Sequence, residues 1–375
     1  MNPFRYGALA LDEAFTNRED EIRELTRDIL NGQDVVVLAP RRYGKTSLVW
    51  RVIQEVVKKK VLVAQVNLMT TPTKERLAEK LADTLYENVA SALFRARERL
   101  RIFADLRIRP IVTIDPDSGA PSFSFDAGHP RQDIDATIER LLELPGQLAA
   151  ERKRKVALVF DEFQEVVSID PDLPKLMRSV FQEQPEVAHV YMGSKRHMME
   201  RIFNDANEPF WRSARQMELG VIAPERFEGY LVSSFERTGK KIAPGTVAAV
   251  LETTGGHPYA TQELCYFLWE ETPKGRRAGT AEYERALADV LRAEHAHFEL
   301  IWDQASSVQR LTLQALAQEQ GRPLSGDFRR RHKLPGASTV QRALQALTRN
   351  ELVTKSDGEY RIAEPFLADW LRRQA

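Results

Sequence analysis

Ala39-Pro40-Arg41-Arg42-Tyr43-Gly44-Lys45-Thr46 is the stretch on which the fold turns. It fits the phosphate-loop pattern G-x-x-x-x-G-K-[ST] at every fixed position except the first, where Ala39 replaces glycine. Just before it, Val35-Val36-Val37-Leu38 is a short β-branched run of the kind that forms a buried parallel strand. From about Lys45 to Lys58 the pattern is helical. Strand, loop and helix in that order let successive loop N–H groups and a helix N-terminus form a nest for phosphate. Gly44 lets the backbone approach closely, Lys45 reaches the β- and γ-phosphates, and Thr46 holds Mg²⁺. A small residue serves at position 39 if its φ is negative, so Ala39 is a mild departure.

Working outward, residues 61–66, 156–160 and 188–192 read as further buried strands, and 18–30, 74–104 and 132–151 as helices. Alternating strands and helices predict an α/β fold, a parallel sheet sandwiched by helices. Ile111-Val112-Thr113-Ile114 and Ser122-Phe123-Ser124-Phe125 flank turn residues and predict an inserted β-hairpin over about 108–126. After about Pro224 the pattern is helical only up to residue 300.

Asp161 and Glu162 end the apolar strand at 156–160. Asp161 is expected to orient Mg²⁺ and Glu162 to polarise the attacking water as general base. An acid directly after the metal-holding aspartate favours water as the nucleophile. Ser194, at the tip of the strand over 188–192, is either a γ-phosphate sensor or part of a Gly-Ser turn. The guanine-reading pattern Asn-Lys-x-Asp is absent, so ATP is preferred to GTP.

With 375 residues, 43% of them hydrophobic and 29% charged, the chain reads as an ordinary globular protein of two or three domains. Lys+Arg and Asp+Glu both total 54, so any basic surface must be local. The single cysteine, Cys265, excludes an intramolecular disulfide and fits a reducing cytoplasm. Met1 to Asp20 does not read as a signal peptide, and no apolar run approaches the ~20 residues of a membrane span. His295 and His297 lie two apart on a predicted helix and do not share a face, so no metal site is read there. The tryptophans at 211, 269, 302 and 370 read as packing residues.

The last segment reads as three helices, a hairpin wing and a terminal helix, a winged helix-turn-helix. Val308, Leu311, Leu313 and Leu316 form the apolar face of its first helix. Ser338 and Gln341 are expected to form a capping box for the third, whose inward face is Val340, Ala343, Leu344 and Leu347. Residues 305–375 hold 12 basic and 7 acidic residues. Arg329, Arg330, Arg331 and Lys333 cluster before the third helix, and Gln341, Arg342, Gln345 and Arg349 lie on its outer face. Two readings stand: double-stranded DNA, with the cluster on phosphates and the face on base edges, or a protein contact.

Together these pieces resemble the archaeal-type ATPases, close to the STAND branch of the AAA+ P-loop NTPases. Phe15-Thr16-Asn17-Arg18-Glu19-Asp20-Glu21 looks like the family's opening signature, Pro40 to Ser47 like its P-loop, and Thr254-Gly255-Gly256-His257-Pro258-Tyr259 like an element of its helical lid. The resemblance implies a P-loop ATPase domain over 1–222, an α-helical lid over 223–303 and the winged helix over 304–375. It implies that the chain around Arg18, with Pro40, Arg41, Arg42, Tyr43, Gly44, Lys45, Thr46 and Ser47, holds the nucleotide, and that Pro258 approaches the adenine. Arg212 or Arg215 would touch the γ-phosphate, in cis or from a neighbouring subunit of a homo-oligomer; the alternative is ordinary surface ion pairs. The expected function is a Mg²⁺–ATP-driven switch. The competing readings are a replication-initiator-like, DNA-remodelling ATPase and a nucleotide-binding adaptor without turnover.

Overall fold

The computed structural model describes residues 1–7, 15–90, 99–117, 120–125, 130–356 and 358–374. They divide into two compact units: a sheet unit, residues 18–41 and 45–219, and a helical unit, residues 1–17, 42–44 and 220–375.

The sheet unit runs α1 (Glu19–Leu30), β1 (Val35–Leu38), α2 (Lys45–Lys58), β2 (Leu62–Asn67), α3 (Lys74–Leu85), β3 (Ile111–Ile114), β4 (Pro121–Ser124), α4 (Arg131–Arg152), β5 (Val156–Asp161), α5 (Leu173–Phe181), β6 (Val187–Gly193), α6 (Arg196–Asn204) and β7 (Arg215–Glu218). Five strands form one parallel sheet in the order β2-β5-β6-β1-β7. Strands β1 and β6 are buried along their whole length, and β5 up to Phe160, as a sheet covered on both faces requires. Because all five point the same way, the C-terminal ends of β1, β6 and β5 stand side by side at one edge. Ligands of open parallel sheets bind at that edge.

The hairpin forms as expected, Ile111 pairing with Ser124 and Ile114 with Pro121. Phe123 packs into the main apolar core while Ile111 and Ile114 stay exposed. The helix expected over 74–104 is shorter: α3 gives way to a π-helical turn at Tyr86–Ala90, residues 91–98 lie outside the described residues, and Arg99–Phe103 is 3₁₀. Strand β7 carries no β-branched run. It is an edge strand with a single buried side chain, Met217, so its sequence signal is faint.

The helical unit contains α7 (Pro224–Arg237), β8 (Lys241–Ile242), α8 (Pro244–Thr254), α9 (Pro258–Glu271), β9 (Arg277–Ala278), α10 (Thr280–Ala293), α11 (His295–Gln304), α12 (Ser307–Gln318), α13 (Gly326–Arg331), α14 (Ala337–Arg349), β10 (Val353–Ser356), β11 (Glu359–Ile362) and α15 (Pro365–Gln374). The two-residue ladder β8–β9 corrects the helices-only reading of 225–300. Lid and winged helix share one apolar cluster, running from Phe4, Phe227 and Leu264 through Phe298 to Leu344, Phe366 and Trp370.

The winged helix forms with antiparallel β10 and β11 as the wing. Val340, Ala343, Leu344 and Leu347 face inward as expected, and so do Leu313 and Leu316, but Leu311 is exposed. The capping box is not at Ser338. Helix α14 begins two residues earlier than that cap requires, at Ala337, so Gly336 is the N-cap and has no side chain for a backbone N–H to donate to. A capping box instead opens α12, with Ser306 and Gln309 bonded reciprocally. Trp211 is exposed rather than packed.

Candidate active site

The phosphate loop leaves the end of β1 and enters α2. Ala39 is buried and is not among the non-glycine residues with positive φ, so the departure from glycine brings no backbone strain; Arg42 and Gly44 take the left-handed turn, at φ +66 and +83. The Lys45 ammonium is buried over the loop, donating to the carbonyls of Ala39 at 2.8 Å and Pro40 at 3.2 Å. Thr46 is half-buried, Ser47 buried, Pro40 half-buried and Arg41 exposed. Tyr43 is buried with its ring 4.6 Å from that of His257. The Arg42 guanidinium pairs with Glu364 at 2.7 Å and lies over the Tyr259 ring at 4.4 Å.

Asp161 closes β5, and Glu162 follows in the left-handed conformation at φ +51. That turn places the Glu162 N–H on Asp161 Oδ1 at 2.9 Å. Glu162 Oε2 accepts from Gln164 Nε2 at 2.6 Å, Ser194 Oγ at 2.7 Å and the Ser194 N–H at 3.3 Å. Strands β5 and β6 are neighbours, so Ser194, one residue past β6, reaches Glu162 directly. Ser194 is thus tied to the acid, more than a turn residue. Burial pushes the Glu162 carboxyl up, but the bonds from Gln164 and Ser194 and the charge of Lys45 outweigh it and hold the acid below the usual glutamate range. The Asp161 carboxyl is raised, by burial and by the charge of Glu162, with Lys45 opposing. A hydroxyl at Thr46 and a carboxylate at Asp161 are the oxygen donors that suit a hard cation such as Mg²⁺.

Gln164 was not legible from the sequence; it is fully buried, and no motif marks it. Gly193 makes room for it: a Cβ there would stand 2.4 Å from Gln164 Oε1 and 2.5 Å from the Met199 side chain.

Other expected residues lie elsewhere. Arg215 pairs across the sheet with Val35, the first residue of β1, so it sits at the end of the strand away from the phosphate loop. Its guanidinium bonds Asp28 at 2.6 Å and Glu24 at 2.8 Å, the ion pairs that were the alternative to a γ-phosphate contact. Arg212 is exposed beside the Trp211 ring. Arg18 is buried and paired with Glu21 at 2.8 Å.

In the helical unit, Gly256 approaches the Ile222 backbone so closely that a Cβ would stand 2.1 Å from its carbonyl oxygen, which explains the second glycine of Gly-Gly-His-Pro. His257 then caps α9 through Nδ1, and Pro258 takes the first helical position. Burial, with the charge of Arg42, lowers the His257 pKa to about 4, so it stays neutral. Gln341, Arg342, Gln345, Arg349 and Lys333 are exposed on the winged helix, whereas Arg330 and Arg331 pair with Asp327 and Glu319, and Arg329 is half-buried. Among the described residues no helix is long and apolar enough to cross a membrane.

Residues 15–264 match the family model of an ATPase domain predominantly from Archaea, and residues 296–373 that of a probable winged helix domain. No curated protein matches the chain. Among solved structures, the fold is similar to that of the Walker-type ATPase PABY2304 of Pyrococcus abyssi, with a TM-score of 0.68, 15% identity and 97% of each chain covered. It is also similar to the Aeropyrum pernix ORC2 protein, solved with ADPNP and ADP, with a TM-score of 0.58, 17% identity, and 99% of this chain and 96% of that one covered. With the family model spanning most of its length, this chain belongs to the family of ATPase domains found predominantly in Archaea.

Proposed function

We propose that the protein binds Mg²⁺–ATP at Lys45 and Thr46 and hydrolyses it with Glu162 as general base, using the two nucleotide states as a switch. The observation that carries this is the Glu162 carboxylate, fixed at the sheet's C-terminal edge by Gln164 and Ser194 and ionised at neutral pH. An ionised, oriented carboxylate is what a water-activating base requires. Bound Mg²⁺ would neutralise charge on the β- and γ-phosphates. Lys45 binds the same phosphates, and Ser194 orients the base. Arg212, exposed, is the remaining candidate for a γ-phosphate contact, in cis or from a second copy. A switch needs a partner with different affinity for the two states.

A second reading, a DNA-coupled ATPase, is favoured by the exposed row Gln341, Arg342, Gln345 and Arg349 on α14. The deciding experiment is steady-state ATP hydrolysis by the wild type, Lys45→Ala and Glu162→Gln, with and without duplex DNA. Glu162→Gln is expected to keep ATP binding and lose turnover by ~10²–10⁴-fold. Lys45→Ala is expected to lose both. Stimulation by DNA would promote the DNA-coupled reading. Wild type that binds ATP and never turns it over would make the protein an adaptor and remove the role of Glu162.

A further inference from the structure

A second cluster of ionisable groups lies wholly inside the helical unit. Glu294 stands between α10 and α11, at the N-cap of α11. His297 is three residues further on, a spacing that puts the two side chains on one helix face. Glu364 immediately precedes Pro365, the first residue of α15. One ligand atom from each of the three lies within 4.8 Å of the other two, and His297 Nε2 is 3.9 Å from Glu364.

Behind them on α9 is Glu263. It is fully buried; no N–H or hydroxyl donor reaches its carboxyl, which lies against that of Glu294. Glu294 is its hydrogen-bond neighbour, and the charges of Arg42 and Glu364 also act on it. Three carboxyl groups therefore share one guanidinium, that of Arg42, which bonds Glu364 at 2.7 Å and stands 3.9 Å from Glu294. Carboxyl groups this close disfavour one another's charged forms, and a cation bound between them would relieve that repulsion.

We propose that Glu294, His297 and Glu364 bind a divalent transition-metal cation of the zinc class, with Glu263 as the supporting carboxyl behind them. An imidazole among carboxylates favours Zn²⁺ or its neighbours over Mg²⁺ and Ca²⁺, which take oxygen only. Zinc ligands at about 2.0–2.2 Å would stand roughly 3.3–3.6 Å apart. The observed separations close to that range by side-chain movement on the order of 1 Å. Cation and Arg42 neutralise the same carboxylates, so they compete. His295, which faces Glu299 and Trp370 instead, takes no part.

The test is a Zn²⁺ titration of the full chain, free of nucleotide, against a chromophoric chelator, with folding checked by circular dichroism. One equivalent is expected for the wild type. Glu294→Gln and His297→Ala should each weaken it at least tenfold; His297 is half-exposed, so this change spares the core. Arg42→Ala should tighten it. Asp161→Ala, in the nucleotide site, and His295→Ala should leave it within twofold. As a second readout, Co²⁺ in place of Zn²⁺ should give d–d absorption that His297→Asn changes. Absence of a stoichiometric Zn²⁺ equivalent, or one that survives His297→Ala and disappears in Asp161→Ala, overturns the proposal.

Discussion

Two glutamates, one in each unit, Glu162 half-buried and Glu263 fully buried, meet opposite fates. Glu162 receives two side-chain hydrogen bonds and one backbone bond, and its carboxyl is held below the ordinary range. Glu263 meets no N–H or hydroxyl donor, only the carboxyl of Glu294, and burial together with Glu294 pushes its own carboxyl up to about 8. Burial raises both; the difference lies in the donors aimed at the charged form. The first environment keeps a carboxylate ionised, as the proposed base requires. The second keeps a proton, or takes up a cation.

The comparison can be broken most strongly at Gly193. Gly193→Ala drives a Cβ into Gln164 and Met199 and should destabilise the protein by ~1–3 kcal/mol, read from urea midpoints, with turnover falling as the cradle of Glu162 shifts. Unchanged stability would mean that the cradle yields easily.

The second test concerns Glu263. Its folded pKa of about 8 lies above the ~4.3 of an unfolded glutamate. Between those values the native state binds more protons than the unfolded state, so stability present at acid pH is lost as pH rises toward 8. With a chelator present, Glu263→Gln should remove on the order of 2 kcal/mol of that loss, measured by urea unfolding at pH 5 and pH 8. Parallel pH dependence in variant and wild type would show that Glu263 has a partner after all.

The smallest effect is expected at Ser194. Ser194→Ala removes one donor to Glu162 and should lower kcat about tenfold, ~1.4 kcal/mol, with KM little changed. Because the lost bond favoured the ionised base, the acidic limb of the pH–rate profile should move to higher pH. A change in KM alone would make Ser194 a binding residue.

Much of this was legible in the chain. The β-branched run before Ala39, the apolar run before Asp161 and the helix at Lys45 all form where periodicity places them. Inward faces of α14 were read correctly because a helix buries one stripe at a fixed period. Strand β7 escapes because an edge strand buries little, and the cap of α14 lies two residues before the expected Ser338. For Arg215 the sequence leaves a γ-phosphate contact and an ion pair both open; the structure shows ion pairs with Asp28 and Glu24.

The sequence by itself determined most of the sheet's strands and helices and the pattern of the phosphate loop, because strand, turn and helix propensities act over a few residues. Only the tertiary structure decided that Gln164 and Ser194 hold Glu162, and that Glu263, Glu294, His297 and Glu364 converge. Apart from the short-range Gln164–Glu162 bond, those contacts join residues from different elements, and their energies depend on distance and burial, neither of which spacing along the chain encodes.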